Sequence, residues 1–231
     1  MVTIHLPSIR NQLILLGVIL FNFWIWRVIQ KSPTIAIILL LLTFLLFQLI
    51  MVKKLKIWVF TIVFILFSSL SFIIIKSDFD KGIQLLTPED QVRLNERHFY
   101  YSQELGAIFL NRKILNYYKN YSLLVYKLER DLFSNLDLNL YFFASHPRER
   151  AGVSEFEKFP PFLFPFFMIG TLLLIYWGSV KTACYLVAAT FASTFIAQNY
   201  ILGPILFFPL ISVCIAIGII YILDLITVFK I

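Results

Sequence analysis

The amino-acid sequence predicts an all-α polytopic membrane protein. Six transmembrane helices are expected, with an 85-residue, mainly helical extracytoplasmic insertion between the third and fourth. Three observations predict this class. Of 231 residues, 60% are hydrophobic and only 14% charged, with a mean hydropathy of +0.84; a soluble globular chain runs nearer a quarter charged. The apolar residues fall into long runs of the length a bilayer core requires. The charges are segregated: twelve of the 13 acids lie between Lys76 and Lys158, with Asp224 the exception. A soluble chain of this size could not bury so much apolar surface, and exposing it in water would cause aggregation. The composition therefore excludes an ordinary soluble enzyme and a disordered chain.

The first apolar run is Gln12 to Ile29. A secretory signal peptide would need a small-x-small cleavage site after it. Bulky Phe21, Phe23, Trp24 and Trp26 occupy that stretch, so a retained helix is expected. Asn22 inside it is expected to bond a neighbouring helix or the i−4 carbonyl. The second run, Thr34 to Val52, follows Ser32-Pro33, and proline is tolerated at a helix start. Lys53, Lys54 and Lys56 separate it from the third run, Ile57 to Ile75, so the two form a tight hairpin. Ser68, Ser69 and Ser71 in the third run suit close helix contact.

Residues 1–75 thus form one membrane unit and 161–231 a second, with 76–160 between them. In that middle region Thr87-Pro88 with Glu89 and Asp90 reads as a helix start, leading into a helix over Pro88 to Phe109. A second helix is expected over about Lys113 to Phe133. Leu136, Leu138 and Leu140 alternate with Asp137 and Asn139, a strand-like pattern. Leu136 to Phe143 is read as an extended or re-entrant edge, since one short strand is not stable alone. Pro160, Pro161 and Pro165 stiffen the approach to the fourth helix, Phe162 to Val180. The fifth is placed at Thr182 to Gln198 and the sixth at Pro204 to Phe229, with a kink at Pro209.

The net charge of +7 arises at the borders of the apolar runs. There, Arg10, Arg27, Lys31, Lys53, Lys54, Lys56, Lys181 and Lys230 outweigh Asp224. Topology and anionic headgroups account for such an excess without nucleic acid. The short connections place both termini in the cytoplasm and residues 76–160 outside. The expected setting is a bacterial cytoplasmic membrane. Cys184 and Cys214 lie in apolar runs and read as buried small hydrophobes. Asp224 sits near the end of the last run, where it can reach the interface or pair with a terminal base.

No GxGxxG, P-loop, HExxH or CxxC sequence occurs. His5, His98 and His146 do not make a ligand set, and no metal or cofactor is expected. The densest polar cluster is His146-Pro147-Arg148-Glu149-Arg150, followed by Glu155, Glu157 and Lys158. Arg148 and Arg150, with Glu155 and Lys158, are the candidate ligand-binding residues, because guanidinium supplies several donors to one phosphate oxyanion. His146 and Glu149 are candidate proton carriers. Asp78 and Asp80 are candidate catalytic carboxylates for deprotonating an acceptor hydroxyl. Mixed charges at this density also form plain solvated faces. A second cluster, Glu89 to Glu104, reads mainly as a solvated helix face with a Glu89–Arg93 pair.

The leading expectation is an integral-membrane scaffold or accessory subunit. It would contact a partner protein, a heterologous membrane subunit or a lipid-linked glycan at the outer leaflet. One alternative is a membrane enzyme acting on a lipid-linked sugar or phosphate. The other is a transporter or oligomeric channel, against which stands the lack of carboxylates at the middle of the runs.

Overall fold

The computed structural model describes residues 8–52, 57–79, 92, 93, 95, 96, 99, 117, 121–143, 158–194 and 204–229. Among these residues the chain is helical and has no strand. Among the described residues two helical stretches, Pro33–Met51 and Ile205–Val228, are long and apolar enough to cross a membrane; counting each of two bent helix pairs as one span raises the number to four.

The first apolar run is two helices rather than one. Helix α1 spans Ile9–Leu20 and α2 spans Phe23–Lys31, and they are bent by 69° at Phe21-Asn22. Asn22 explains the break. Its backbone is extended, and its side-chain carbonyl accepts from the Trp24 N–H at 2.7 Å. Asparagine thus acts as an N-cap, in place of the interhelical bond expected of it. Helix α3, Pro33–Met51, follows the sequence reading closely, with Pro33 in its first turn. Thr43 donates to the Leu39 carbonyl at 2.7 Å, so its hydroxyl is satisfied within the helix. Helix α4 runs Ile57–Phe79, past the expected end at Ile75. Its serines divide: Ser71 is buried, whereas Ser68 and Ser69 are exposed.

In the middle region, Val92, Arg93, Asn95, Glu96, Phe99 and Tyr117 are helical, and α5 spans Ser122–Asn135. The remainder of the two helices expected there lies outside the described residues. The extended reading of Leu136 to Phe143 is corrected. The chain turns, with the Asp137 carboxylate accepting from the Asn139 N–H at 2.9 Å, and forms the short helix α6, Asn139–Phe142. Tyr141 and Phe142 are successive and both buried, which alternation across a strand would not allow against a single core face.

The fourth and fifth runs form two helices splayed across a tight turn. A 3-10 turn at Pro161–Leu163 leads into α7, Phe164–Tyr176, and α8 spans Val180–Thr194. Between them the direction changes by 120°. The turn falls at Trp177–Ser179, not at Lys181, because Gly178 takes the left-handed conformation with φ +59°. Lys181 instead lies in the first turn of α8 and donates to the Leu49 carbonyl at the end of α3, at 2.8 Å. This satisfies one of the carbonyls a helix end leaves unpaired. The last helix, α9, spans Phe208–Phe229 after a 3-10 turn at Ile205–Phe207. Pro209 therefore stands at the helix start and makes no interior kink.

Helix α9 is the hub. From Phe208 to Ile217 its side chains are buried, and it packs against α7, α3 and α1. The α7–α9 contact is backbone to backbone. A methyl group on Gly170 would overlap the Cys214 carbonyl, and one on Gly218 would overlap the Phe166 carbonyl. Two glycines facing each other's neighbours form the small-residue crossing typical of helices in lipid. Helices α1 and α9 run in opposite directions. Arg10 pairs with Asp224 at 2.5 Å at one end, and Trp24 meets Phe208 with ring centroids 5.8 Å apart at the other. Asp224 thus pairs with a base, as its shallow position implied.

Candidate functional site

The end of the bundle away from the Arg10–Asp224 pair is built from aromatic side chains of four segments. Trp24 from α2, Tyr141 from α6, Phe159 before α7 and Phe208 from α9 are all fully or almost fully buried. The Trp24 ring lies 6.0 Å from Tyr141 and 6.1 Å from Phe159, the latter edge-on. Edge-to-face contacts of this kind suit the ring quadrupoles.

Lys158 is seated in this cluster. It is 6% exposed, and its ammonium donates to the Leu140 carbonyl at 2.7 Å. The ammonium also lies 5.7 Å from the Trp24 ring centre and 5.8 Å from that of Tyr141. Burial of an ammonium is tolerable only with such partners, a carbonyl and two ring faces. Two backbone bonds complete the junction: Phe159 N–H donates to the Tyr141 carbonyl at 2.9 Å, and Trp24 N–H to the Lys158 carbonyl at 3.4 Å. The Tyr141 hydroxyl donates to the Asn135 carbonyl at 2.6 Å. Burial first, and then the nearby Asp137 carboxylate, push the Tyr141 phenol well above the usual tyrosine range. It remains a neutral donor at physiological pH.

The consequence concerns the polar cluster. Residues 144–157 carry His146, Arg148, Glu149, Arg150 and Glu155, and all five lie outside the described residues. The described residues on either side of that segment are held together by the Tyr141–Phe159 and Leu140–Lys158 bonds. Lys158 is the one sequence-expected ligand-binding residue whose side chain is described, and it anchors this junction. Asp78 contributes its backbone to the last turn of α4, and Asp80 lies outside the described residues. Arg93 and Glu96 of the second cluster are exposed. Among the described residues no three His, Cys, Asp or Glu side chains come together as a metal site.

Beside the junction is an apolar cavity of about 460 Å³. Its walls come from the α5–α6 connection, α7, α8 and the start of α9, and Tyr141 is shared with the aromatic cluster. Leu138, Phe167, Leu174, Ile211 and Cys214 line it. Its polar lining residues are largely occupied elsewhere: Thr182 and Ser179 hydroxyls bond each other at 2.7 Å, and the Asn135 carbonyl takes the Tyr141 hydroxyl. Sequence reading missed both features. It gave neither Trp24 nor Tyr141 a part in a site, and it placed the turn that borders the cavity at Lys181 rather than at Trp177–Ser179.

Fold and site together define a protein whose described residues are helical and include apolar helices of membrane-spanning length. Comparison of the chain with known protein families, curated proteins and solved structures finds no match.

Proposed function

We propose that the protein is an integral-membrane scaffold or accessory subunit that presents a polar segment to a partner protein or lipid-linked substrate at the outer leaflet. The observation that carries this reading is the Lys158 junction. It ties the described residues on either side of 144–157 to each other and to the helical bundle, which supports reading the His146 to Glu157 cluster as the part offered to a partner. A buried ammonium shared between a carbonyl and two aromatic rings is a costly device for a mere connecting loop. In this reading the chain crosses the membrane six times, both termini are cytoplasmic and residues 76–160 lie outside. The Arg10–Asp224 contact at the opposite end supports a common side for the two termini. Arg148 and Arg150 then bind an anionic group of the partner or of a lipid-linked glycan.

The test is native mass spectrometry of the complex extracted in mild detergent, comparing the natural chain with an Arg148→Glu/Arg150→Glu variant. A reproducible heterologous subunit or lipid-linked glycan, lost in the variant while the fold persists, is the expected result. A chain that carries neither, or the same cargo in both proteins, refutes the reading. An enzyme acting on a lipid-linked sugar is the second reading, favoured by the apolar cavity sharing Tyr141 with the junction. Product formation abolished by Asp80→Asn or Glu149→Gln would establish it.

A further inference from the structure

We infer that the cavity between α5–α6, α7, α8 and α9 is a binding site for one acyl chain of a bilayer glycerolipid. The inference rests on the membrane setting of the preceding reading and deepens it by naming a ligand class. It does not depend on the polar segment.

The chemistry of the walls selects hydrocarbon. Leu138, Phe167, Leu174, Leu210, Ile211 and Cys214 supply the lining. The Ser179 and Thr182 hydroxyls bond each other and the Asn135 carbonyl takes the Tyr141 hydroxyl, whereas the buried Thr171 hydroxyl in the wall has no hydrogen-bond partner among the described residues. At about 460 Å³, the space lies within the roughly 300–1,000 Å³ of small-molecule pockets.

The bilayer itself is what the cavity meets. Ile175 and Val180 line it and are 70% and 72% exposed, and Leu186, also lining it, is 40% exposed. The lining therefore continues directly into the apolar exposed side chains of α7 and α8.

The full-length protein would be placed in vesicles of phosphatidylethanolamine and phosphatidylglycerol. These would carry a trace of phosphatidylcholine with a diazirine midway along one acyl chain. Photolysis and peptide mapping should concentrate labelling on Thr171, Leu174, Leu210 and Cys214. Ala183→Phe, an exposed lining position on α8, should abolish that labelling, and the neighbouring non-lining Cys184→Phe should leave it intact. Labelling spread evenly over outward-facing residues, or unchanged in Ala183→Phe, overturns the site. So does exclusion of the acyl probe by a co-purifying polyprenyl lipid, which would make that chain the occupant. Retention of a partner subunit reads the polar segment alone, so failure of either proposal is visible without the other.

Discussion

Lys158 shows how one residue can join two chain segments inside an apolar cluster. Its stem packs among aromatic rings while the ammonium reaches the Leu140 carbonyl. Lys158→Ala removes a charge-assisted hydrogen bond, two ring contacts and that packing together, so stability is expected to fall by roughly 2–4 kcal/mol. Thermal unfolding in detergent checks this, and Lys127→Ala provides a partly buried lysine for comparison. Tyr141→Phe leaves the Asn135 carbonyl without its donor and should cost about 1–2 kcal/mol. The phenol also carries a pH signature. Its folded value is raised above the ordinary one, so its contribution is complete below the unfolded tyrosine pKa, about 10. It is lost as pH rises through the folded value, because the unfolded chain ionises first. Alkaline unfolding should therefore be less steep in Tyr141→Phe, and one late tyrosinate absorbance step of the natural protein should be missing.

At the level of elements, the decisive contact is the α7–α9 crossing. Gly170 and Gly218 each meet backbone rather than a movable side chain. An added methyl cannot be absorbed by a rotamer change, so Gly170→Ala or Gly218→Ala should cost about 3 kcal/mol or more, the upper end of overpacking. Denaturation in mixed detergent micelles measures it; unchanged stability would mean the helices do not cross there. Gly17→Ala is the control, because nothing approaches that position. The α1–α2 break makes a smaller demand. Asn22→Ala loses the cap on Trp24 N–H, and about 1 kcal/mol is expected. The buried Nδ2 of Asn22 has no hydrogen-bond partner among the described residues, so part of that cost is returned when the amide is removed.

For the whole molecule, the positions of the two ends can be tested directly. The Arg10–Asp224 pair is half exposed at each side chain, so Arg10→Ala should change stability by less than about 1 kcal/mol. Its value is geometric. A cysteine pair at positions 10 and 224, with Cys184 and Cys214 replaced, should cross-link efficiently within one chain. A cysteine at position 24 paired with one at 224 should not, since Trp24 lies at the other end beside Phe208. Cross-linking of the second pair and not the first would invert the assignment of α1 against α9.

The sequence by itself determined the class of protein, because helix-length apolar runs and segregated charge follow from the solvent the chain must meet. It also located α3, whose bounds at Ser32-Pro33 and Lys53 are punctuated by proline and charge. Local chemistry that overrides periodicity was harder to read. Asn22 caps a helix instead of bridging two, and the Asp137 turn converts an alternating pattern into a helix. Only the tertiary structure decided which faces are inside. In α3, Leu39 and Leu42 are fully buried while Ile37 and Leu41 are more than half exposed. Lipid and protein interior are equally apolar, so no contrast marks the buried stripe. The same reasoning applies to the candidate site. The charge of the segment from His146 to Lys158 was visible at once. That Lys158 turns inward, that Tyr141 joins it to a cavity and that two glycines bring α7 against α9 depend on residues far apart in the chain. Their meeting is set by packing, which no local pattern encodes.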